Sequence, residues 1–214
     1  MKLFSKFKML MTVMTVMTIV SLGSILACNE DETDDISNEL LDSKLSIEDK
    51  NALMFMLEEE KLARDTYEYL DGLYAINQFS NIKLSEQSHV NAISALLDKN
   101  EIPYTIQPYG KFENQELQEL YNQFVEYGQS NRDNALEVGA TIEDLDIVDL
   151  QEFIEATSNT SLISVFESLQ CGSRNHLRSF VKAIENANEI YEPQFLTLEE
   201  YNDIVEDTNE KCGQ

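Results

Sequence analysis

Two histidines stand among 40 aspartate and glutamate residues in this chain, and both occupy positions expected to face a core. Glu86 and His89 are three residues apart, so on a helix they lie next to each other on one face. That face also carries Ile82 and Ile93, which makes it the apolar face. His176 lies on the apolar stripe of another periodic segment. Each imidazole is therefore expected inside the protein rather than on its surface.

Two further carboxylates fall on apolar helix faces. Glu60 follows the stripe of the first periodic segment, four residues after Met56, whereas Glu58 and Glu59 are expected to point away from that stripe. Glu143 shares a face with the apolar residues of a third long segment. An unpaired carboxylate that faces a core is costly, so each of these groups should have a partner or a cation.

Four long helices would thus each offer an acid or an imidazole to a common core. In the di-iron design of helical bundles, two helices each give one Glu and two others each give Glu-x-x-His. Iron or manganese suits a ligand set that is rich in oxygen and poor in nitrogen. The sequence therefore predicts an iron or manganese site, with a di-metal centre as one form of it. Its predicted ligands are Glu60, Glu86, His89, Glu143 and His176. The alternative is a buried, hydrogen-bonded polar cluster that joins the helices.

The segments that must position these residues read as helix nearly throughout. All three prolines lie between periodic segments, and the sequence shows no alternating strand pattern. The fold class predicted is all-α: an antiparallel four-helix bundle over 46–190 with additional short helices, then a C-terminal tail with a short helix over 191–214. The stretch “DIVDLQEFIEA” either continues the helix that starts near residue 131 or forms a bent extension of it. Helices are expected at about 46–75, 78–99, 114–127, 131 onward, 161–188 and 197–205.

The N-terminal region differs from the rest of the chain. Three early lysines precede an apolar run over 9–20, which is typical of an export signal covering 1–27. A membrane anchor that is never cleaved is the alternative interpretation. The acidic stretch within 28–45 indicates a solvated, self-repelling tether between this signal and the helical domain.

“ILAC” at 25–28 resembles the lipobox of bacterial lipoproteins, in which the cysteine carries lipid after cleavage. The resemblance implies that Cys28 is lipidated and that a membrane is therefore a partner of this chain. “NEDETDD”, directly behind the cysteine, looks like the acidic tether that some Gram-negative lineages use to send lipoproteins to the cell surface. We expect an exported chain, lipid-anchored to the bacterial cell envelope at the outer membrane or the cell surface.

Charge and cysteine content limit the remaining partners. The net charge of −25 makes nucleic acid a poor partner, because phosphate binding needs clustered cations. Cys171 and Cys212 are candidates for a disulfide in an oxidising compartment, and the sequence leaves open whether they pair. The oligomeric state also stays open, and a homodimer is compatible with the sequence.

Several stretches resemble known ferritin-like proteins. “EKLARDTY” at 60–67 is similar to the first-helix signature of rubrerythrin-like ferritin domains, Glu-x-x-Ala-Arg-x-x-Tyr, and “SEQSH” at 85–89 is similar to their second-helix Glu-x-x-His. The chain from Asp49 to Ala187 more closely resembles an uncharacterised ferritin-like domain family of bacteria and archaea. The stretches that carry this resemblance are “LEEEKLARDTY”, “SEQSHVNAI”, “GATIEDLDIVDL” and “GSRNHLRSF”. The resemblance implies the same ligand set, with Glu143 as the third-helix carboxylate.

One position departs from the ferritin-like pattern. Ser173 stands three residues before His176, where the pattern has a second Glu. Glu167 cannot replace it, because nine residues at 100° each turn it to the opposite side of the helix. Asp146 or Glu137 could supply the missing carboxylate. The site is therefore an incomplete di-metal centre, a single-metal site, or a former site held by hydrogen bonds.

The function expected from the sequence is that of an extracytoplasmic metal-binding domain, and its ligands allow a di-iron or iron/manganese oxidoreductase that acts on oxygen, peroxide or iron. The alternative is a non-catalytic surface lipoprotein whose buried Glu/His cluster is a structural polar core. Whether the chain is an enzyme stays open at this point.

Overall fold

The computed structural model describes residues 45–208 and 210–212. Every regular element in that part of the chain is an α-helix, so the prediction of an all-α chain is confirmed. The predicted signal peptide (1–27), Cys28 and the acidic tether up to residue 44 lie outside the described residues. None of the helices in the described part is long and apolar enough to cross a membrane. The six helices are α1 (Ile47–Tyr74), α2 (Asn77–Lys99), α3 (Gln115–Gly128), α4 (Arg132–Ala156), α5 (Thr160–Asn186) and α6 (Leu198–Glu206).

Local sequence signals determine where several helices begin and end. Ser46 and Asp49 form a capping box at the start of α1, in which each side chain accepts a hydrogen bond from the other residue's backbone N–H. Thr197 and Glu200 form the same motif at the start of α6. At the end of α1, Ala75 takes a left-handed conformation with φ of 49°, which turns the chain directly into α2. The stretch over 146–156 continues α4 without a break.

The core consists of two apolar layers with a polar layer between them. Along α1, Leu53 and Met56 belong to the first apolar layer, Tyr67 belongs to the second, and Glu60 lies between them. The first layer contains Leu53, Met56, Leu57, Val90, Ile93, Leu97, Leu150, Phe166 and Leu169. The second contains the rings of Tyr67, Phe79 and Phe180, whose centroids are 5.3 to 5.6 Å apart. α1 packs mainly against α2, and α4 against α5, so these four helices surround the polar layer.

The C-terminal tail is attached to the outer face of α5. The structure joins Cys171 to Cys212 in a disulfide, with 2.04 Å between the two Sγ atoms. Arg174 and Arg178 both donate to the carboxylate of Glu210, at 2.5 to 2.8 Å. The tail therefore runs along the helix that carries the second histidine.

Candidate metal centre

The five side chains predicted as metal ligands meet in the polar layer. Glu60 comes from α1, Glu86 and His89 from α2, Glu143 from α4 and His176 from α5. The three carboxylate residues are at most 2% exposed, and the two imidazole side chains are 12 to 13% exposed. They converge because each lies on the same helix face as the apolar residues of its helix, and those faces meet at the core.

One group of ligand atoms surrounds the first imidazole. His89 Nδ1 lies 3.1 Å from Glu60 Oε2 and 2.9 Å from Glu86 Oε2. One ligand atom from each of these three residues lies within 4.8 Å of the others, which is close enough to share an ion.

A second group surrounds the other imidazole. His176 Nδ1 lies 2.8 Å from Glu86 Oε1 and 3.4 Å from Glu143 Oε2. Glu86 thus belongs to both groups, with one oxygen facing each histidine. The two imidazole rings stack with 5.7 Å between their centroids. A carboxylate shared in this way is suited to bridge two cations.

The spacing of these atoms matches the coordination sphere of a small divalent cation. Neighbouring ligands of an octahedral ion with bonds of about 2.1 Å are about 3.0 Å apart. The four imidazole–carboxylate distances, 2.8 to 3.4 Å, fall around that value. Moreover, His176 Nδ1 and Glu86 Oε1 make no hydrogen bond despite their short separation, because their geometry is unsuitable. In the second group, therefore, these two atoms are close without pointing at each other.

Protons on the imidazoles balance the carboxylates when no cation is bound. Burial lowers the pKa of His176, but the charges of Glu86 and Glu143 outweigh it and raise that pKa to about 10. The pKa of His89 is also raised, since Glu60 and Glu86 outweigh its burial. Burial raises the pKa of Glu60 to about 8. Burial would raise the pKa of Glu86 as well, yet the two imidazoles hold it well below its ordinary range. A cation must displace the imidazole protons, so its binding is expected to strengthen as the pH rises.

Two residues outside the predicted ligand set hold these groups in place. The Tyr67 hydroxyl donates to Glu143 Oε1 at 2.6 Å, which orients the other oxygen towards the second group. Gly172 lies against the first imidazole, since a Cβ added there would be 2.8 Å from His89 Nε2. A glycine inside a helix is unfavourable by about 1 kcal/mol relative to alanine, and here it makes room for the ring.

Three more buried carboxylates adjoin the centre. Glu59, Asp146 and Asp149 are 2 to 5% exposed. The sequence predicts that Glu59 points away from the core, but the structure buries it. The reason is that α1 packs against α3 and α4 as well as α2, so its buried face is wider than one apolar stripe. Burial, followed by the neighbouring charges of Asp149 and Asp146, raises the pKa of Glu59 well above its usual range.

The two carboxylates proposed to replace the Glu that is missing at position 173 lie in different surroundings. Glu137 accepts a hydrogen bond from the Tyr127 hydroxyl at 2.6 Å and is only half-buried. Asp146 instead lies in the polar layer, where its Oδ2 accepts a hydrogen bond from the Ser173 hydroxyl. From the sequence, these two residues differed only in their angle around α4.

A groove of about 640 Å³ opens beside the first imidazole. It is lined by His89 and Ala92 of α2 and by the Cys171–Cys212 disulfide, among other residues. Because His89 contributes to both the groove and the first ligand group, a small molecule or ion in this groove is next to the centre.

The fold and the site define a class: an α-helical protein whose core contains a carboxylate–imidazole cluster supplied by four helices. A family model described as an uncharacterised protein domain, DUF2202, matches residues 49–208. That span includes all five residues of the cluster, and the chain belongs to this family.

Its relatives include an archaeal protein. The chain is 44% identical over 169 residues to the uncharacterised protein MJ0754 of Methanocaldococcus jannaschii, with 78% of this chain and 91% of that protein covered. A crystal structure of hypothetical protein MJ0754 from Methanococcus jannaschii is similar with a TM-score of 0.76 and 44% identity, and it covers 78% of this chain and 96% of that chain. Neither name states an activity. The predicted membership of an uncharacterised domain family with an archaeal branch is confirmed.

Proposed function

We propose that this chain is a ferritin-like, metal-binding domain that holds two iron or manganese ions between α1, α2, α4 and α5. The observation that carries the proposal is the shared carboxylate of Glu86, whose two oxygens face two separate imidazole–carboxylate groups. In this proposal Glu60 and His89 hold one ion, Glu143 and His176 hold the other, and Glu86 bridges them.

The chemistry of the donors favours iron or manganese. Carboxylate oxygens outnumber imidazole nitrogens, and no described cysteine sulfur lies in either ligand group. Soft, sulfur-preferring ions are therefore disfavoured, and an all-oxygen site for magnesium or calcium would not need imidazoles.

The helical arrangement supports the ferritin-like part of the proposal. All five ligands come from four of the six described helices, and the short connections between α1 and α2 and between α4 and α5 join neighbouring pairs. Such connections are typical of antiparallel helices in a four-helix bundle. In this arrangement α3 and α6 are the additional short helices.

A bound pair of iron or manganese ions would supply redox chemistry towards oxygen, peroxide or iron. The chain's own contribution is to hold the ligands and to limit access. Tyr67 orients Glu143, Gly172 leaves room for His89, and the apolar layers on both sides exclude bulk water. The groove beside His89 is wide enough for a small oxidant or a hydrated ion. We therefore propose an oxidoreductase with a small inorganic substrate.

Metal analysis tests the binding proposal directly. The chain is produced with iron and manganese supplied, and bound metal is measured in the parent, Glu86→Gln and His89→Ala. We expect two ions per chain in the parent and loss of both ions in Glu86→Gln, because its carboxylate serves both groups. Glu137→Gln is the matched control, since Glu137 binds Tyr127 and faces away from the centre. A metal-free parent whose melting temperature is unchanged by a chelator would refute the proposal.

The activity requires a separate measurement. Anaerobically loaded ferrous protein is mixed with oxygen or hydrogen peroxide, and consumption of the oxidant is followed. We expect turnover in the parent and in Glu137→Gln and none in Glu86→Gln. Metal binding without consumption of either oxidant would support the proposed metal site and refute the proposed oxidoreductase activity.

The proposal includes an extracytoplasmic location on a lipid anchor at Cys28. Its support is the signal-like N-terminal sequence, together with the Cys171–Cys212 disulfide, which is typical of an oxidising compartment. Metabolic labelling with a fatty-acid analogue in a bacterial host should label the parent and Cys212→Ser but not Cys28→Ser. An unlabelled parent found in the cytoplasm would contradict this location.

A second function has its own observation. His89 Nδ1 is in hydrogen-bond geometry with Glu60 Oε2, and Tyr67 is hydrogen-bonded to Glu143, as in a structural polar core. A non-catalytic surface lipoprotein with such a core would melt at the same temperature with and without a chelator. It would also be destabilised by His176→Ala through lost polar contacts alone.

A further inference from the structure

The clearest gap in the ligand set lies on α5, one helical turn before His176. In the Glu-x-x-His pattern a carboxylate at that position reaches the same point as the imidazole. Here the residue is Ser173, which is fully buried and too short to act as a bridging ligand. Its hydroxyl donates instead to Oδ2 of Asp146, which comes from α4 on the other side of the polar layer. A carboxylate from α4 therefore contacts the residue at this position.

Asp146 has an oxygen free for a further contact. Its Oδ1 is buried and has no hydrogen-bond partner, whereas its Oδ2 is held by Ser173. A buried carboxylate oxygen without a donor is unfavourable unless a cation or a proton satisfies it. One oxygen is thus positioned by the protein and the other is left available.

Asp146 lies beside residues of both ligand groups, although it does not belong to either set of atoms within 4.8 Å of one another. Asp146 lies three residues after Glu143, so the two side chains are neighbours on one face of α4. Burial raises the pKa of Asp146, and the charges of Glu60 and Glu143 raise it further. The Ser173 contact also places Asp146 one turn from His176 on α5. Asp146 is thus close enough to feel the charges of Glu60 in the first ligand group and of Glu143 in the second.

We propose that Asp146 is the fourth carboxylate ligand of the centre, presented by α4 and oriented by the Ser173 hydroxyl. This inference rests on the proposed metal-binding function. It changes the source of the ligand: the carboxylate that α5 lacks is supplied across the core, and Ser173 is a positioning residue rather than a defect.

The charges agree with this assignment. Four ionised carboxylates, from Glu60, Glu86, Glu143 and Asp146, carry four negative charges, and two divalent cations with neutral imidazoles neutralise them.

Titration with Mn²⁺ of the purified chain tests the assignment, with electron paramagnetic resonance to report coupling between two ions. We expect two coupled ions in the parent. Asp146→Asn keeps the shape and the contact with Ser173 but loses the charge, and it should bind one uncoupled ion. Ser173→Ala keeps the carboxylate but frees it, and the affinity for the second ion should fall by about 10- to 100-fold.

A double variant distinguishes the loss of a ligand from a general folding defect. Ser173→Glu combined with Asp146→Ser moves the carboxylate from α4 to α5, and it should restore two coupled ions. Asp144→Asn is the matched control, because Asp144 is a buried carboxylate of the same helix that binds the C-terminal tail. It should lose thermal stability and keep both ions.

The outcomes separate the inference from the function on which it rests. A parent that binds no Mn²⁺ refutes the proposed function and this inference together. A parent with two ions, alongside Asp146→Asn with two ions at the same affinity, refutes the inference alone. If Ser173→Ala binds the second ion with parental affinity, Ser173 has no positioning role. Loss of the second ion in Asp146→Asn, together with its recovery in the double variant, supports the whole assignment.

Discussion

Asp65 and Glu60 are both buried carboxylates of α1, but their surroundings are opposite. Asp65 Oδ2 accepts from Lys61 Nζ at 2.6 Å and from the Gly110 N–H at 2.9 Å, and its Oδ1 accepts from the Arg64 guanidinium at 2.7 to 3.0 Å. Glu60 has an imidazole near one oxygen, and its Oε1 has no hydrogen-bond partner. The same helix therefore carries one acid with a full set of donors and one without.

α4 repeats this contrast within one turn. Asp144 accepts from the Tyr191 hydroxyl at 2.7 Å and from the backbone N–H groups of Leu196 and Phe195 at 2.7 and 3.2 Å. Asp146, two residues later, has an oxygen with no donor. Asp144 thus attaches the C-terminal segment to α4, whereas Asp146 faces the polar layer.

This contrast shows what the polar layer lacks. The fold places lysine, arginine and backbone donors around acids that have a structural role, and leaves the acids of the layer incompletely paired. Unpaired buried charge is costly, and under the proposed function a cation is the partner of these acids. Within the described residues, the buried carboxylate oxygens without a hydrogen-bond partner belong to Glu59, Glu60, Glu86, Asp146 and Asp149.

Removing the Lys61 ammonium, which pairs with the well-paired acid Asp65, should have the largest effect on stability. Lys61→Met leaves the buried Asp65 without its closest partner and removes donors to the carbonyls of Pro108 and Lys111. We expect a loss of about 3 to 5 kcal/mol in the free energy of unfolding, measured by urea denaturation. Manganese stoichiometry should not change. A drop in bound metal would mean that the two regions are not independent.

Binding of Mn²⁺ to the incompletely paired acids of the polar layer should have the next largest effect on the free energy of unfolding. At 100 times its dissociation constant, Mn²⁺ should stabilise the chain by about 2.7 kcal/mol for each ion bound. Asp144→Asn, which alters only a well-paired acid, should lower the melting temperature of the metal-free chain and leave this gain intact.

The gain from Mn²⁺ should also depend on pH, with a sign fixed by the shifted groups. Folding raises the pKa of Glu60 from 4.5 to about 8 and that of His176 from 6.5 to about 10. The folded chain therefore binds more protons than the unfolded chain, and the metal-free protein loses stability as the pH rises from about 4.5 through 10. Because Mn²⁺ replaces those protons, its stabilisation should be greater at pH 8 than at pH 5.5. Melting curves with and without Mn²⁺ at both pH values test this, and an equal or smaller gain at pH 8 would contradict it.

Displacing one imidazole should weaken the centre without disturbing the paired region. Gly172→Ala places a methyl group where a Cβ would be 2.8 Å from His89 Nε2, so the ring must move. We expect Mn²⁺ affinity to fall by about 10- to 100-fold, measured by isothermal titration. Gly72→Ala is the control, because nothing lies within 4 Å of a Cβ added there. Equal affinities in the two variants would show that the ring tolerates displacement.

The smallest expected effect comes from a single hydroxyl. Tyr67→Phe removes the donor to Glu143 Oε1 while keeping the ring in its apolar layer. The lost hydrogen bond should lower the free energy of unfolding by about 1 to 2 kcal/mol, and Mn²⁺ affinity should fall by about tenfold. A variant with parental affinity would show that Glu143 needs no orienting donor.

Helical periodicity made much of this arrangement predictable. Glu60, Glu86, His89, Glu143 and His176 all lie at the 3.6-residue spacing of apolar residues, so their direction follows from the sequence. The burial of Glu59 and Lys61 did not follow, because it depends on α3 and α4 covering a second side of α1. One helix's pattern does not reveal how many neighbours that helix has.

The sequence by itself determined the all-α class, the capping of α1 and α6, and the apolar faces on which the five candidate ligands lie, because these depend on neighbours within about four residues along the chain. Tertiary structure alone decided that Glu86 faces both histidines and that Asp146 meets Ser173 from another helix. It also decided which buried acids receive donors. Those outcomes depend on the relative height and rotation of packed helices, which local spacing does not specify.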